Sequence, residues 1–150
     1  MSVSVAIAFV ALVIALLSAV YTRHAVKAAK HANEIAIHHE RLKTYKALVS
    51  LASALSARGL AISKDEVWAF YEPATWAKFY FKPDLAAALL KVFDDSLELV
   101  SKKAEWGDVS QGGEYDQALV KETHALHRAT RDRARQLVEE IESELVITPN

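Results

Sequence analysis

The N-terminal third of the chain begins with a continuous apolar run and continues as a segment of mixed apolar and charged residues. From Ser2 to Tyr21 there is no charged side chain, and most positions are Val, Ala, Ile, Leu or Phe. About 20 apolar residues at a rise of about 1.5 Å cover roughly 30 Å, the thickness of the hydrocarbon core of a bilayer. A lone segment in lipid must satisfy its own backbone hydrogen bonds, so it forms a helix. We therefore expect residues 1–22 to be a transmembrane anchor.

Two other interpretations of this segment are weaker. A cleaved signal peptide has basic residues before a short apolar core and ends in an Ala-x-Ala-like site. Here no Lys or Arg precedes the core, and Leu17-Ser18-Ala19 is a poor cleavage site. A buried core helix would need other segments apolar enough to surround it, and the chain has none. We favour a retained anchor.

Beyond the span the chain is predicted to stay helical through a basic neck, residues 23–58. No Pro or Gly interrupts it before Gly59, and Ala, a strong helix former, is frequent. An apolar repeat of seven residues, the spacing of a coiled coil, is formed by Ala28, Ile35, Leu42 and Val49. For residues 42–55 we favour packing against the chain's own later helices. For residues 22–37, self-association and a solvated helix are equally open.

The charge is distributed unevenly and predicts an orientation. Residues 22–58 hold seven basic and two acidic residues (+5), whereas residues 59–113 (six against nine) and 114–150 (five against eight) each sum to −3. By the positive-inside rule the C-terminal domain is cytoplasmic and the N-terminus outside. Arg23, Lys27 and Lys30 are candidates for contacts with anionic headgroups. The acidic domain argues against nucleic-acid binding, and the absence of cysteine is compatible with a reducing compartment.

Residues 59–147 are expected to form a helical cytoplasmic domain, followed by a tail, residues 148–150. Ser63 followed by Glu66 is a capping-box signature that starts a helix at Lys64, and Pro73 should stop or kink that helix. The predicted helices cover about residues 64–72, 75–81, 83–104 and 114–145. The fold class is therefore all-α, with an N-terminal transmembrane helix continuing into a long helix that packs with a small antiparallel helical bundle.

The two long soluble helices have apolar stripes at helical spacing. In the first, the stripe consists of Leu85, Leu89, Val92, Phe93, Leu97 and Val100. In the second, the positions expected to face the core are Tyr115, Leu119, Leu126, Leu137, Ile141 and Leu145. Residues 106–113, with three of the four glycines, are expected to form a mobile loop. The charged middle of the last helix is expected to be solvated, with Asp132 paired to Arg128 or Arg135.

Aromatic residues concentrate between the neck and the first long soluble helix. Seven of the chain's 13 aromatic residues lie here: Trp68, Phe70, Tyr71, Trp76, Phe79, Tyr80 and Phe81. We expect most of them in the core. Two alternatives are open: a patch that binds a partner protein, and contact with the bilayer interface, where Lys78 and Lys82 would suit headgroups. The candidate partner patch consists of Trp68, Tyr71, Trp76, Phe79 and Phe81.

The histidines do not form a recognisable metal motif. His24, His31 and His38 share one heptad position, but at about 10 Å per heptad they lie too far apart for one ion. They are expected to be solvated, although their protonation near pH 6 would add charge beside the membrane. His124 and His127 are one turn apart, yet no Glu-x-x-His pair completes a di-iron site.

Sequence signals of catalysis are missing. The chain has no cysteine nucleophile, no glycine-rich phosphate loop, no Gly-x-Ser-x-Gly elbow and no Rossmann fingerprint. Adjacent acid pairs such as Asp94 and Asp95 are expected on helix surfaces, where neighbours do not face each other. We therefore expect a protein that is not an enzyme and holds neither a metal nor a cofactor.

Three segments carry a resemblance to known proteins. They are Ala32-Asn33-Glu34-Ile35-Ala36, Arg41-Leu42-Lys43-Thr44-Tyr45-Lys46-Ala47-Leu48 and Trp76-Ala77-Lys78-Phe79-Tyr80-Phe81-Lys82-Pro83-Asp84-Leu85. In these segments the chain resembles a loose group of bacterial proteins with one N-terminal span. The resemblance implies an inner-membrane protein with a helical cytoplasmic domain, and it supplies no catalytic residues.

These observations favour a non-enzymatic, membrane-anchored interaction or scaffold protein at the inner leaflet. Its partners would be the lipid bilayer and either a second copy of the chain or another membrane or cytosolic protein. The alternative is a sensor or regulatory subunit of a larger membrane complex, tuned by pH through the histidines of the neck.

Overall fold

The computed structural model describes residues 3–109 and 116–145, with the side chains of residues 4–6 and 107–109 excepted. Its elements are α1 (Val3–Arg58), a 3₁₀ turn (Gly59–Ala61), α2 (Lys64–Trp68), α3 (Tyr71–Trp76), a second 3₁₀ turn (Ala77–Phe79), α4 (Pro83–Val109) and α5 (Gln117–Leu145). Every regular element described is helical, so the predicted all-α fold class is confirmed. The chain forms two compact units, Met1–His38 and His39–Asn150.

The first unit consists of the N-terminal part of α1. All side chains of residues 7–36 are exposed. The most apolar 18-residue window has a mean hydropathy of 1.8 and is 0% buried, and the Thr22 hydroxyl donates to the carbonyl of Ser18 at 2.8 Å. By length and composition this helix can cross a membrane. A signal sequence meets the same criterion, whereas the core helix of a soluble protein would be mostly buried.

The second unit is built on one face of the C-terminal part of α1. The buried residues on this face are Thr44, Leu48, Leu51, Ala52 and Leu55. The four apolar ones join one hydrophobic core with residues of α2 to α5, which confirms the expected packing of residues 42–55 within the chain. The heptad positions Leu42 and Val49 are only half-buried, because a straight helix buries a face that repeats every 3.6 residues.

Local signals set the boundaries of the short helices. Gly59 takes the left-handed conformation (φ 56°) directly after α1, as a glycine at a helix end does. Ser63 and Glu66 form the predicted capping box. Pro73 does not stop a helix, contrary to expectation: it lies in the first turn of α3, where a missing backbone N–H costs nothing because no intrahelical acceptor exists there. The break falls earlier, between Trp68 and Tyr71.

Helix α4 runs further than predicted. It continues through Trp106 to Val109, so the prediction of a loop is wrong for residues 106–109. The remainder of the predicted loop, Tyr115 and the predicted tail lie outside the described residues. The indole of Trp106 lies 5.8 Å from the His124 ring of α5, and the Lys102 ammonium lies 3.1 Å from the Glu122 carboxylate. These contacts extend the α4–α5 pairing past the point where the apolar stripe ends.

Small polar residues occupy core positions that the apolar stripes do not mark. Ser96, Thr123 and Thr130 are buried, and each hydroxyl donates to the carbonyl four residues earlier, at 2.7 to 2.9 Å. Alongside Leu99 of α4 they take places on the packed α4–α5 faces, whereas Leu97, Val100, Leu119, Leu126 and Leu145 are only half-buried. A hydroxyl satisfied within its own helix can be buried without leaving an unpaired donor.

The ion pairs differ from those expected. Asp95 is buried rather than on the surface, and its carboxylate contacts the Arg133 guanidinium at 2.7 Å and the Lys91 ammonium at 3.1 Å. Asp132 pairs with Arg131, not with Arg128 or Arg135. A buried carboxylate needs such partners because leaving it unpaired costs several kcal/mol, on the order of 3–5. The Asp95–Arg133 pair therefore orients α4 and α5 towards each other.

The capping box predicts a dependence of stability on pH. The pKa of the Glu66 carboxyl lies below its usual value, mainly because the backbone N–H and the hydroxyl of Ser63 donate to it, with a smaller effect of Arg58. Its stabilisation is complete above the usual glutamate pKa and is lost as the pH falls through the lowered value. We expect Glu66→Gln to lower the melting temperature at about pH 7 and much less at about pH 3.

Thermal unfolding of the unsubstituted chain and of the Glu66→Gln variant at the two pH values measures this effect. Asp65→Asn is the matched control, because it removes a charge from the same helical turn and leaves the bonds to Ser63 in place. If Glu66→Gln lowered the melting temperature as much at low pH as at neutral pH, the stabilisation would not come from the ionised Glu66 carboxylate.

Candidate interaction surface

The aromatic segment divides between the core and the surface. Phe70 and Phe81 are 1% and 7% exposed, and Tyr80 is half-buried, whereas Trp68 (44%), Tyr71 (44%), Trp76 (52%) and Phe79 (62%) are exposed. The expectation that most of the rings lie in the core is therefore wrong for these four. The inclusion of Phe81 in the candidate patch is wrong, because its ring packs into the core next to α1. Helices as short as α2 and α3 have one buried side, so rings on the other side remain in solvent.

The exposed rings form two groups. In the first, Trp68 and Tyr71 lie 5.3 Å apart and both contact the buried ring of Phe93, at 5.5 and 5.1 Å. This group is attached to the core. In the second, Trp76 and Phe79 lie 5.5 Å apart, and the Lys78 ammonium lies 5.1 Å from the centre of the Phe79 ring. The second group has the two most exposed rings of the segment.

Arg41 of α1 holds the end of the aromatic segment in place. Its Nε donates to the carbonyl of Tyr80 at 2.7 Å, and its guanidinium lies 5.6 Å from the centre of the Phe81 ring. The carbonyl lies just after the second 3₁₀ turn, where backbone acceptors lack helical partners. Arg41 thereby ties residues 77–81 to α1 and shapes the surface between them.

A groove lies between α1 and α3, and we call it the α1–α3 groove. Its volume is about 560 Å³, and its lining consists of Glu40, Lys43, Thr44, Ala69, Glu72, Pro73, Trp76 and Tyr80. The Lys43 ammonium contacts the Glu40 carboxylate at 2.7 Å. The pKa of Lys43 is raised, first by this hydrogen bond and further by the charges of Glu40 and Glu72. The groove therefore combines a negative electrostatic environment with an exposed ring.

Part of this surface was not apparent in the sequence. Of the lining residues, only Trp76 belongs to the candidate patch predicted from the sequence, and Glu40, Lys43 and Glu72 look like ordinary solvated charges on their helices. No local pattern in the sequence marks these three residues as parts of one surface. The proposed headgroup residues Arg23, Lys27 and Lys30 are exposed, and their contact with lipid stays a prediction.

The histidines have separate surroundings. His127 Nε2 lies 2.9 Å from the Leu55 carbonyl in the last turn of α1. The His127 ring would lie 3.9 Å from a Cβ atom if Gly59 were replaced by a residue that has one. His124 contacts Trp106 instead, so the two rings do not converge on one point. His31 Nδ1 lies 3.9 Å from the Glu34 carboxylate. Among the residues described, no three acidic or histidine side chains are placed to hold a metal ion.

Comparisons of the chain with protein-family models, with curated proteins and with solved structures find no match.

The division of the rings predicts unequal effects on stability. Phe79→Ala and Trp76→Ala should each lower the free energy of unfolding by less than about 1 kcal/mol, since exposed side chains contribute little to packing. Phe70→Ala should lower it by about 3–5 kcal/mol, because it leaves a cavity in the core. Near-ultraviolet circular dichroism of the full chain in detergent micelles, followed during thermal unfolding, measures both. A large loss for Phe79→Ala would show that this ring serves the fold.

Proposed function

We propose that the chain is a non-enzymatic, single-pass membrane protein of the bacterial inner membrane that acts through protein contacts. In this proposal the N-terminus is outside, the helical second unit is cytoplasmic, and the protein associates with itself or with another membrane or cytosolic protein. The observation that carries the proposal is the uncharged run of residues 7–20, whose side chains are all exposed. So much exposed apolar surface is stable in lipid and unfavourable in water.

Two further observations support a role in contacts. The first is the basic character of residues 22–58, next to the proposed span, with seven basic residues against two acidic ones, which suits an anionic inner leaflet. The second is the exposure of Trp76, which lines the α1–α3 groove, and of Phe79 next to it, because aromatic residues are enriched among those that anchor protein interfaces.

The orientation can be tested directly because the natural chain has no cysteine. In spheroplasts, a membrane-impermeant maleimide should label Ser2→Cys without lysis and Gln136→Cys only after lysis. The protein should also stay in the pellet after extraction with alkaline carbonate, as spanning proteins do. Release by carbonate would contradict the anchor, and the reverse labelling pattern would contradict the orientation.

The contact role predicts crosslinked products in intact membranes. We expect a bifunctional maleimide to give a covalent homodimer or a larger adduct from Ala32→Cys in the exposed neck or from Phe79→Cys, next to the groove residue Trp76. Gln136→Cys, on an exposed position of α5, is the matched control for random collisions. Yields at both test positions no higher than that of the control would count against the proposal.

A further inference from the structure

The α1–α3 groove has the chemistry to bind a positively charged side chain. We propose that it binds an arginine or lysine side chain presented by a partner protein, with the cationic head between Glu40 and Glu72 and the alkyl stem on Trp76. The inference rests on the interaction role proposed above and names the kind of residue that the partner supplies. Three features of the groove carry it: an excess of carboxylates, an exposed ring and a cation already held there.

The carboxylates outnumber the cations of the lining. Glu40 and Glu72 face one ammonium, that of Lys43, which gives the lining a formal charge of −1. Lys43 is bonded to Glu40 at 2.7 Å, and in the part of the chain that the structure describes Glu72 forms no salt bridge. A second cation in the groove would therefore meet an unpaired carboxylate.

The surroundings of Lys43 indicate how the groove interacts with a positive charge. Glu40 and Glu72 both favour the charged form of Lys43, so the site stabilises positive charge at that point. The Lys43 side chain is more than half exposed, and it can give up its contact with Glu40 at little cost because exposed ion pairs contribute little to stability. An incoming guanidinium, which can bond a carboxylate through two N–H groups, competes well for that position.

The apolar part of the groove suits the stem of a long basic side chain. Trp76 is half exposed, and Pro73 and Tyr80 line the groove with it. A guanidinium near the face of a tryptophan or tyrosine ring gains a cation–π interaction, and its methylene groups cover apolar surface. A neutral aliphatic side chain would gain the second contribution alone.

The neighbouring basic residues point elsewhere. Arg41 bonds the Tyr80 carbonyl and packs on Phe81, and Lys78 lies over Phe79; neither basic residue lines the groove. An anionic ligand or an anionic lipid surface at the groove would instead face Glu40 and Glu72. The charge of the lining therefore favours a basic protein segment as the occupant.

The test is a titration of the full chain, labelled with ¹⁵N at its three tryptophans, in zwitterionic micelles. The probe is N-butylguanidinium, which reproduces the end of an arginine side chain, and N-butylurea is its uncharged equivalent. We expect the indole resonance of Trp76 to shift and saturate in the low millimolar range with the cation and several times more weakly with the urea. The resonances of Trp68 and Trp106 are internal controls, and Trp76→Phe assigns the signal.

Two substitutions should change the affinity in opposite directions. Glu72→Gln should weaken binding of N-butylguanidinium by about two- to fivefold, and Lys43→Gln should strengthen it by a similar factor, since each change alters one exposed ion pair. Glu142→Gln, an exposed glutamate on α5, is the matched control and should leave the affinity unchanged. All titrations use the same ionic strength, because salt screens exposed charges.

Each other outcome overturns the proposal. Equal shifts with the cation and the urea would show an apolar groove, and an unchanged affinity in Glu72→Gln would show that the carboxylate has no role. A Trp76 shift produced by anionic lipid vesicles and not by the cation would identify a bilayer surface as the occupant. Because the titration does not depend on anchoring, its failure in a carbonate-resistant protein would remove the groove assignment alone.

Discussion

The second unit depends on the burial of one face of α1 from Thr44 to Leu55. Leu48 and Leu55 are fully buried there, and the core to which they belong draws residues from every later helix. The burial of a large aliphatic side chain contributes roughly 1.5–3 kcal/mol, and short helices such as α2 and α3 are not stable without such contacts. The positions of the aromatic rings and of the groove follow from how these helices pack on that face.

Polar contacts fix the helices around this core more specifically than apolar contacts can. Asp95 joins α4 to α5 through Arg133, His127 of α5 reaches the carbonyl of Leu55 near the end of α1, and Arg41 holds the carbonyl of Tyr80. Each contact satisfies a group that would otherwise lose its hydrogen bonds to water, and a buried group left unsatisfied costs about 1–3 kcal/mol. Of the three contacts, the one made by Arg41 involves a residue that lines the α1–α3 groove, Tyr80.

The same helix α1 has different surroundings in the two units. Residues 7–36 are exposed on all sides, whereas from Thr44 onward one side is buried. In the proposed function, lipid covers the apolar part of the exposed segment. The groove, the exposed rings and the excess of carboxylates belong to the second unit, so the proposed binding of a basic side chain and the proposed contact with lipid fall on separate parts of the chain.

The sequence by itself determined the helical fold class, the apolar run that can span a membrane, the capping box at Ser63 and the helix end at Gly59, because each rests on a local pattern of a few residues. Only the tertiary structure decided which residues are covered. Phe81 is buried because its ring packs into the core next to α1, which is distant from it in the sequence. Asp95 is buried because Arg133, 38 positions later, supplies its partner, and Glu40 and Glu72 became one site only when α1 and α3 packed together. Burial and proximity depend on residues distant along the chain, and hydrophobic periodicity contains no information about which distant residues meet.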